Sequence, residues 1–209
     1  MSESETSEIS RQVDHVKTSV GGLSGHILRR GIHLSMAVIP YLYYEHGESI
    51  ASPLNLNPEQ VVSAVVLLLC LAEYIRLKIG FTVIGQREYE ARQISAMAWG
   101  GFAVAMALLL SPSEALGYAI IISLTLGDPI LGELRRAGKG TNAQIGITAV
   151  VLMAVWLAFA WSSSIPLILA LVMPFVCIAG EWPRLNWIDD NATMIFVPLG
   201  FVLILNPWF

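Results

Sequence analysis

Long apolar runs dominate this chain, and its polar residues collect in the short intervals between them. The runs place candidate spans at roughly 31–45, 58–77, 93–110, 113–133, 143–161, 164–180 and 191–208. About 20 mostly apolar residues in a helix cross about 30 Å of hydrocarbon. The pattern therefore predicts an all-α polytopic membrane protein of about seven transmembrane helices. Gly47, Pro53, Asn55 and Asn57 mark a loop at 46–57, and Pro58 suits the first position of the helix after it. Ser111-Pro112-Ser113 reads as a tight turn with Ser113 as a cap, and Ser162-Ser163-Ser164 as a second. Residues 1–28 form a polar segment in which Ile9, Val13, Val16 and Val20 recur at helical spacing, a stripe suited to a helix on the membrane surface or to a frayed tail. Residues 29–209 are expected to form a single transmembrane domain that carries any chemistry.

Charge orients the spans. Arg11, Lys17, Arg29 and Arg30 precede the first, while Arg76, Lys78, Arg87 and Arg92 flank the loop between the second and third. Arg135, Arg136 and Lys139 follow the fourth, and Arg184 follows the sixth. The alternate loops and the C-terminal tail carry no Lys or Arg. Short cytoplasmic loops retain cations during insertion, so the N-terminus is expected inside and the C-terminus outside, with the equipped face towards the cytoplasm. With 55% hydrophobic residues and seven spans in 209 positions, no room remains for a soluble catalytic domain. The net charge of −4 gives no basic surface suited to nucleic acid. Cys70 and Cys177 read as two buried thiols acting as small hydrophobes.

The informative polar groups gather at the basic ends of the spans. Asp128, within Leu126-Gly127-Asp128-Pro129, stands in an apolar run seven residues before Arg135. An ionised carboxylate at that depth needs a cationic partner or a metal. Pro129 is expected to break the helix, and Gly127 to admit a ligand closely. Glu181 followed by Asp189, Asp190 and Asn191 makes a hard-oxygen cluster suited to Mg²⁺, with Asp190 or Asn191 a candidate cap of the last helix. Arg29, Arg30 and His33 share a helix face suited to phosphate oxygens, or else form an ordinary positive anchor with an incidental histidine. Glu73 and Arg76, spaced i,i+3, form either a local ion pair or a fourth polar group of the site, with Glu90 in the following loop. The stretch from Gly132 to Thr141 is basic and glycine-containing but is no P-loop: five residues separate Gly132 from Gly138, and Gly140 follows Lys139.

Carboxylates for a metal, cations for phosphates and a bilayer setting fit Mg²⁺-assisted phosphoryl or nucleotidyl transfer to a lipid headgroup. The set Arg29-Arg30-x-x-His33, Glu73-x-x-Arg76, Glu90, Gly127-Asp128-Pro129 with Gly138-Lys139, and Glu181 with Asp189-Asp190-Asn191-x-Thr193 resembles the membrane-embedded CTP-dependent lipid kinases, which comprise dolichol kinase, phytol kinase and a CTP-type diacylglycerol kinase. The resemblance covers about residues 29 to 200, and the later stretch Asn142-Ala143-Gln144-Ile145-Gly146 departs from it in lacking Lys and Ser. It implies transfer of the γ-phosphate of CTP to the hydroxyl of a dolichol- or polyprenol-like isoprenoid alcohol, with a divalent cation. On that resemblance Asp128, Asp190 and His33 are the catalytic candidates. Arg29, Arg30, Arg76, Arg135, Arg136, Lys139 and Asn191 would contact nucleotide and phosphate, and Asp128, Asp189, Asp190, Glu181 and Glu73 would hold metal. Two alternatives remain: a CTP-dependent cytidylyltransferase acting on a phosphatidate-like lipid, and a small membrane transporter.

Overall fold

A computed structural model describes residues 20–163, 165–182, 185 and 187–208. Most of the amphipathic stripe, together with Arg11, Lys17 and Arg184, lies outside the described residues. Among the described residues eight α-helices follow one another: α1 Gly22–Ser35, α2 Val38–Ala51, α3 Pro58–Ile79, α4 Ala96–Leu110, α5 Glu114–Arg136, α6 Thr141–Ser162, α7 Leu167–Ala179 and α8 Asp190–Leu205. Short 3₁₀ turns lie at Ser52–Leu54, Glu88–Arg92 and Asn206–Trp208, and no strand occurs among the described residues.

Among the described residues four helices are long and apolar enough to cross a membrane: α3, α5, α6 and α8 with its 3₁₀ extension to Trp208. α4 and α7 are apolar but shorter. The expected first span, 31–45, is not one helix: α1 and α2 meet at Met36 and Ala37. Pro40 has no N–H for the Met36 carbonyl, which accepts instead from the Ile39 N–H at 3.1 Å; this i→i+3 bond continues a tighter stretch in which Met36 N–H donates to His33 O and Ala37 N–H to Leu34 O, both at 3.2 Å. The boundary drawn at residue 28 accordingly falls inside α1. The loop expected at 46–57 is shorter than its turn-forming residues suggested. α2 runs on to Ala51 because Gly47 packs against the Pro58 ring, where a Cβ would stand 3.1 Å from it.

Caps fix the other boundaries. Asn57 and Gln60 form a reciprocal capping box with Pro58 at the first helical position of α3, and Ser113 caps α5. The last helix is capped by Asp189, whose carboxylate accepts from the Asn191 N–H at 3.1 Å, rather than by Asp190 or Asn191. α5 is the central helix and packs closely on every other helix but α3. Trp156, Ile120, Ile121, Leu124, Leu152, Met173, Met194 and Ile195 are fully enclosed around it. Trp156 Nε1 donates to Ser123 Oγ at 2.9 Å, which satisfies both polar groups within this core. α3 is peripheral, and Leu67, Leu68 and Leu71 leave its apolar surface open, as lipid-facing helices do. Cys70 lies on that exposed surface, so only Cys177 is the buried thiol expected of both.

Candidate functional site

Three carboxylates from separate segments meet at one end of the bundle. Asp128 comes from α5, Glu181 from the turn after α7, and Asp190 from the first turn of α8. One oxygen of each lies within 4.8 Å of the others. The expected break at Pro129 is absent: α5 continues through the proline, and its Asp128 turn is held by neighbours. His33 Nε2 stands 3.1 Å from the Leu124 carbonyl oxygen, one turn before Asp128, and 3.6 Å from Asp128 Oδ2. Gly127 does not face a ligand. A Cβ there would meet Met194 Cε at 3.0 Å, so this glycine lets α5 and α8 approach closely.

The same closeness recurs at Gly180, where a Cβ would stand 2.7 Å from the Thr193 carbonyl oxygen and 2.8 Å from Met194 Cα. Only a glycine lets the turn after α7 lie on the α8 backbone, and that contact delivers Glu181 beside Asp190. Glu181 is buried, and its Oε1 accepts from Arg135 Nη2 at 2.5 Å. Its other oxygen, Oε2, is enclosed and has no hydrogen-bond partner among the described residues. Burial pushes the Glu181 carboxyl up to about 8, repulsion from Asp190 and Asp128 adds to the shift, and Arg135 opposes it. Asp189 is also pushed up, by burial and then by Asp190.

Cations ring these acids. Arg30 Nη1 donates to Asp128 Oδ2 at 3.4 Å and its Nη2 lies 3.8 Å from Glu133. The Arg30 guanidinium reaches Gly132 with its Nη2 end, where any Cβ would collide with it. Arg29 donates to the buried Glu90 at 3.1 Å. Arg136 pairs at the surface with Glu133 at 3.2 Å, and Lys139 is exposed in the turn before α6.

Glu73 and Arg76 stand apart from the three acids. Arg76 spends all five N–H donors on the protein: two on the Glu73 carboxylate at 2.8 Å, and the others on the carbonyls of Phe81 at 2.9 Å, Glu90 at 2.7 Å and Gln93 at 2.8 Å. Glu73 also accepts from the Ser95 N–H at 2.6 Å. The pair is a clamp that folds the 80–95 segment back onto α3, and in this arrangement Arg76 has no donor left for a phosphate.

One cleft adjoins the acids, and a smaller cavity lies near them. A cleft of about 170 Å³ runs beside Asp189 and Asp190, with Arg87, Tyr89, Gln93 and Trp99 among its walls. Sequence reasoning passed over Arg87 and Trp99, because neither sits in a motif and only the returning 80–95 segment brings them to α8. A second, much smaller cavity lies between Arg29, His33 and Asn191. The Asn191 side-chain oxygen is buried there without a partner among the described residues.

Compared with protein-family models, with curated proteins and with solved structures, the chain matches none.

Proposed function

We propose that the chain is a membrane-embedded lipid kinase that transfers the γ-phosphate of CTP to the hydroxyl of an isoprenoid alcohol. The observation that carries this reading is the meeting of Asp128, Glu181 and Asp190, with a buried carboxylate oxygen of Glu181 left without a partner among the described residues. Hard oxygen donors at that spacing suit Mg²⁺, and repulsion among the three acids is the condition a divalent cation relieves. Asp128, Glu181 and Asp190 would hold the ion, which when bound draws charge from the phosphate oxygens. Asp189 is engaged as the helix cap and contributes charge.

The remaining groups have complementary work. Arg30 and Arg135 stand beside the acids and meet the phosphates as fixed guanidinium forks, with Arg136 and Lys139 further out. The cleft by Arg87 and Trp99 gives the nucleoside room beside Asp190. The acceptor oxygen bonds to the γ-phosphorus as the bond to the β-phosphate oxygen breaks, CDP leaves, and the hydroxyl proton passes to the Asp128 carboxylate. His33, held at the Leu124 carbonyl, orients that carboxylate. In the bilayer the chain passes seven times, α1 and α2 together making the first passage, with the N-terminus and the site on the cytoplasmic side.

The test is a product assay with purified protein, Mg²⁺, CTP labelled at the γ- or the α-phosphate, and polyprenol, geranylgeraniol, diacylglycerol or phosphatidate. γ-Label in an isoprenoid alcohol supports the kinase. α-Label retained in phosphatidate shows a cytidylyltransferase instead, and no label from either donor removes both.

A further inference from the structure

The small cavity beside the carboxylates is built for one neutral group. Its volume is about 10 Å³, room for a single water-sized moiety. Arg29, His33 and Asn191 form its polar end; Ile32, Met36 and Met97 form an apolar end. Asn191 is only 6% exposed, and its Oδ1 has no partner among the described residues. A buried acceptor without a donor is destabilising, so the site calls for a group that can donate. Arg29 already faces Glu90 at 3.1 Å, so the cavity presents little net charge to an incoming ion. A hydroxyl meets both demands: it donates and accepts, and so satisfies the Asn191 amide in either orientation of its oxygen and nitrogen.

We propose that this slot between α1, α4 and the first turn of α8 receives the hydroxyl of the lipid acceptor, with Asn191 as its hydrogen-bonding partner and the Met36–Met97 end as its way in from the bilayer. The proposal rests on the kinase reading and adds to it the acceptor's position and route. Several observations converge on it. No acid lines the slot itself, but two of its walls are neighbours of the acids: Asn191 follows Asp190 in the chain, and His33 lies 3.6 Å from Asp128. α1 packs chiefly on α5, which leaves its side towards α4 to side chains rather than to close backbone contact. Methionines at that seam have three rotatable bonds and yield to an entering apolar chain without displacing a helix.

Asn191→Leu keeps the branched shape and removes the hydrogen bond, whereas Met97→Trp fills the apolar end and leaves Asn191 in place. Steady-state kinetics with CTP and a soluble short-chain isoprenoid alcohol should show KM for the alcohol raised at least tenfold in both variants, with KM for CTP within about twofold of the unaltered protein. Met97 is only partly buried, so its variant stands in if Asn191→Leu fails to fold. An unchanged alcohol KM in the folded variants, or a parallel rise in both KM values, overturns the slot while leaving the kinase standing. Absence of transfer by the unaltered protein overturns both.

Discussion

Glu181 is the residue on which the site's pH behaviour turns. Its ordinary value of 4.5 is pushed up to about 8 in the folded chain, by burial first and then by Asp190 and Asp128. A carboxyl raised on folding destabilises once it ionises. Its effect is absent below 4.5 and stability is lost as pH rises from there towards 8. Thermal unfolding in detergent without divalent cation should therefore show a falling Tm across that window, and Glu181→Gln should flatten the fall. Protons and a cation compete for the same oxygens, so Mg²⁺ should raise Tm more at pH 8 than at pH 6. An equal effect at both would show that the ion binds elsewhere. Asp128→Asn tests the chemistry directly: turnover should drop by about a hundredfold or more with Tm little changed. Arg76→Ala should behave in the opposite way. It strands Glu73 and three carbonyls, and breaking a buried ion pair costs about 3–5 kcal/mol. The damage should be read in Tm and yield, without a selective rise in KM for nucleotide. The i,i+3 spacing of Glu73 and Arg76 made the pair legible in the sequence. The other three donors were not, because their carbonyls belong to a loop that returns from up to seventeen residues away.

At the scale of elements, two glycines set the approach of one segment to another and make predictions of opposite character. Gly132 is in a helix, where alanine is favoured by about 1 kcal/mol, yet its Cβ would displace Arg30 from Asp128. Gly132→Ala should keep or raise Tm while lowering turnover, and a variant with full activity would release Arg30 from the site. Gly180→Ala, by contrast, drives a Cβ into the α8 backbone and should cost about 1–3 kcal/mol in stability as well as activity. Helix starts were readable from Asn57-Pro58 and Ser113, because a cap acts within a single turn. The continuity of α5 through Pro129 was not readable, since a proline usually ends or kinks a helix and the packing of the central helix overrides that local preference. The split between α1 and α2 followed from Pro40, but its place at Met36 depends on the carbonyl four residues upstream. Asp189 rather than Asp190 caps α8 for a similarly local reason: three adjacent polar residues compete, and backbone geometry selects among them.

For the whole molecule, the convergence of Asp128, Glu181 and Asp190 was foreshadowed by the grouping of polar residues at the basic ends of the apolar runs. The exclusion of Glu73 was not, because that grouping fixes height along the bundle and says nothing about position around it. Height also yields a test of orientation. Single cysteines at Gly138 and Asn55, in a background lacking Cys70 and Cys177, should react with an impermeant maleimide from opposite sides of the membrane, Gly138 from the cytoplasm. Labelling of both from one side would refute seven passages. A further consequence follows from how α1 is attached. It supplies Arg30 and His33, yet its only buried residues are Gly25 and His33, and its ion pairs run from Arg29 to Glu90 and from Arg30 to Asp128 and Glu133. Little apolar surface holds it down, so its amides should exchange with solvent sooner than those of α5 or α6. Assembly of the site then becomes a local folding event within an already folded bundle, in which bound substrate slows exchange in α1 and leaves the core unchanged.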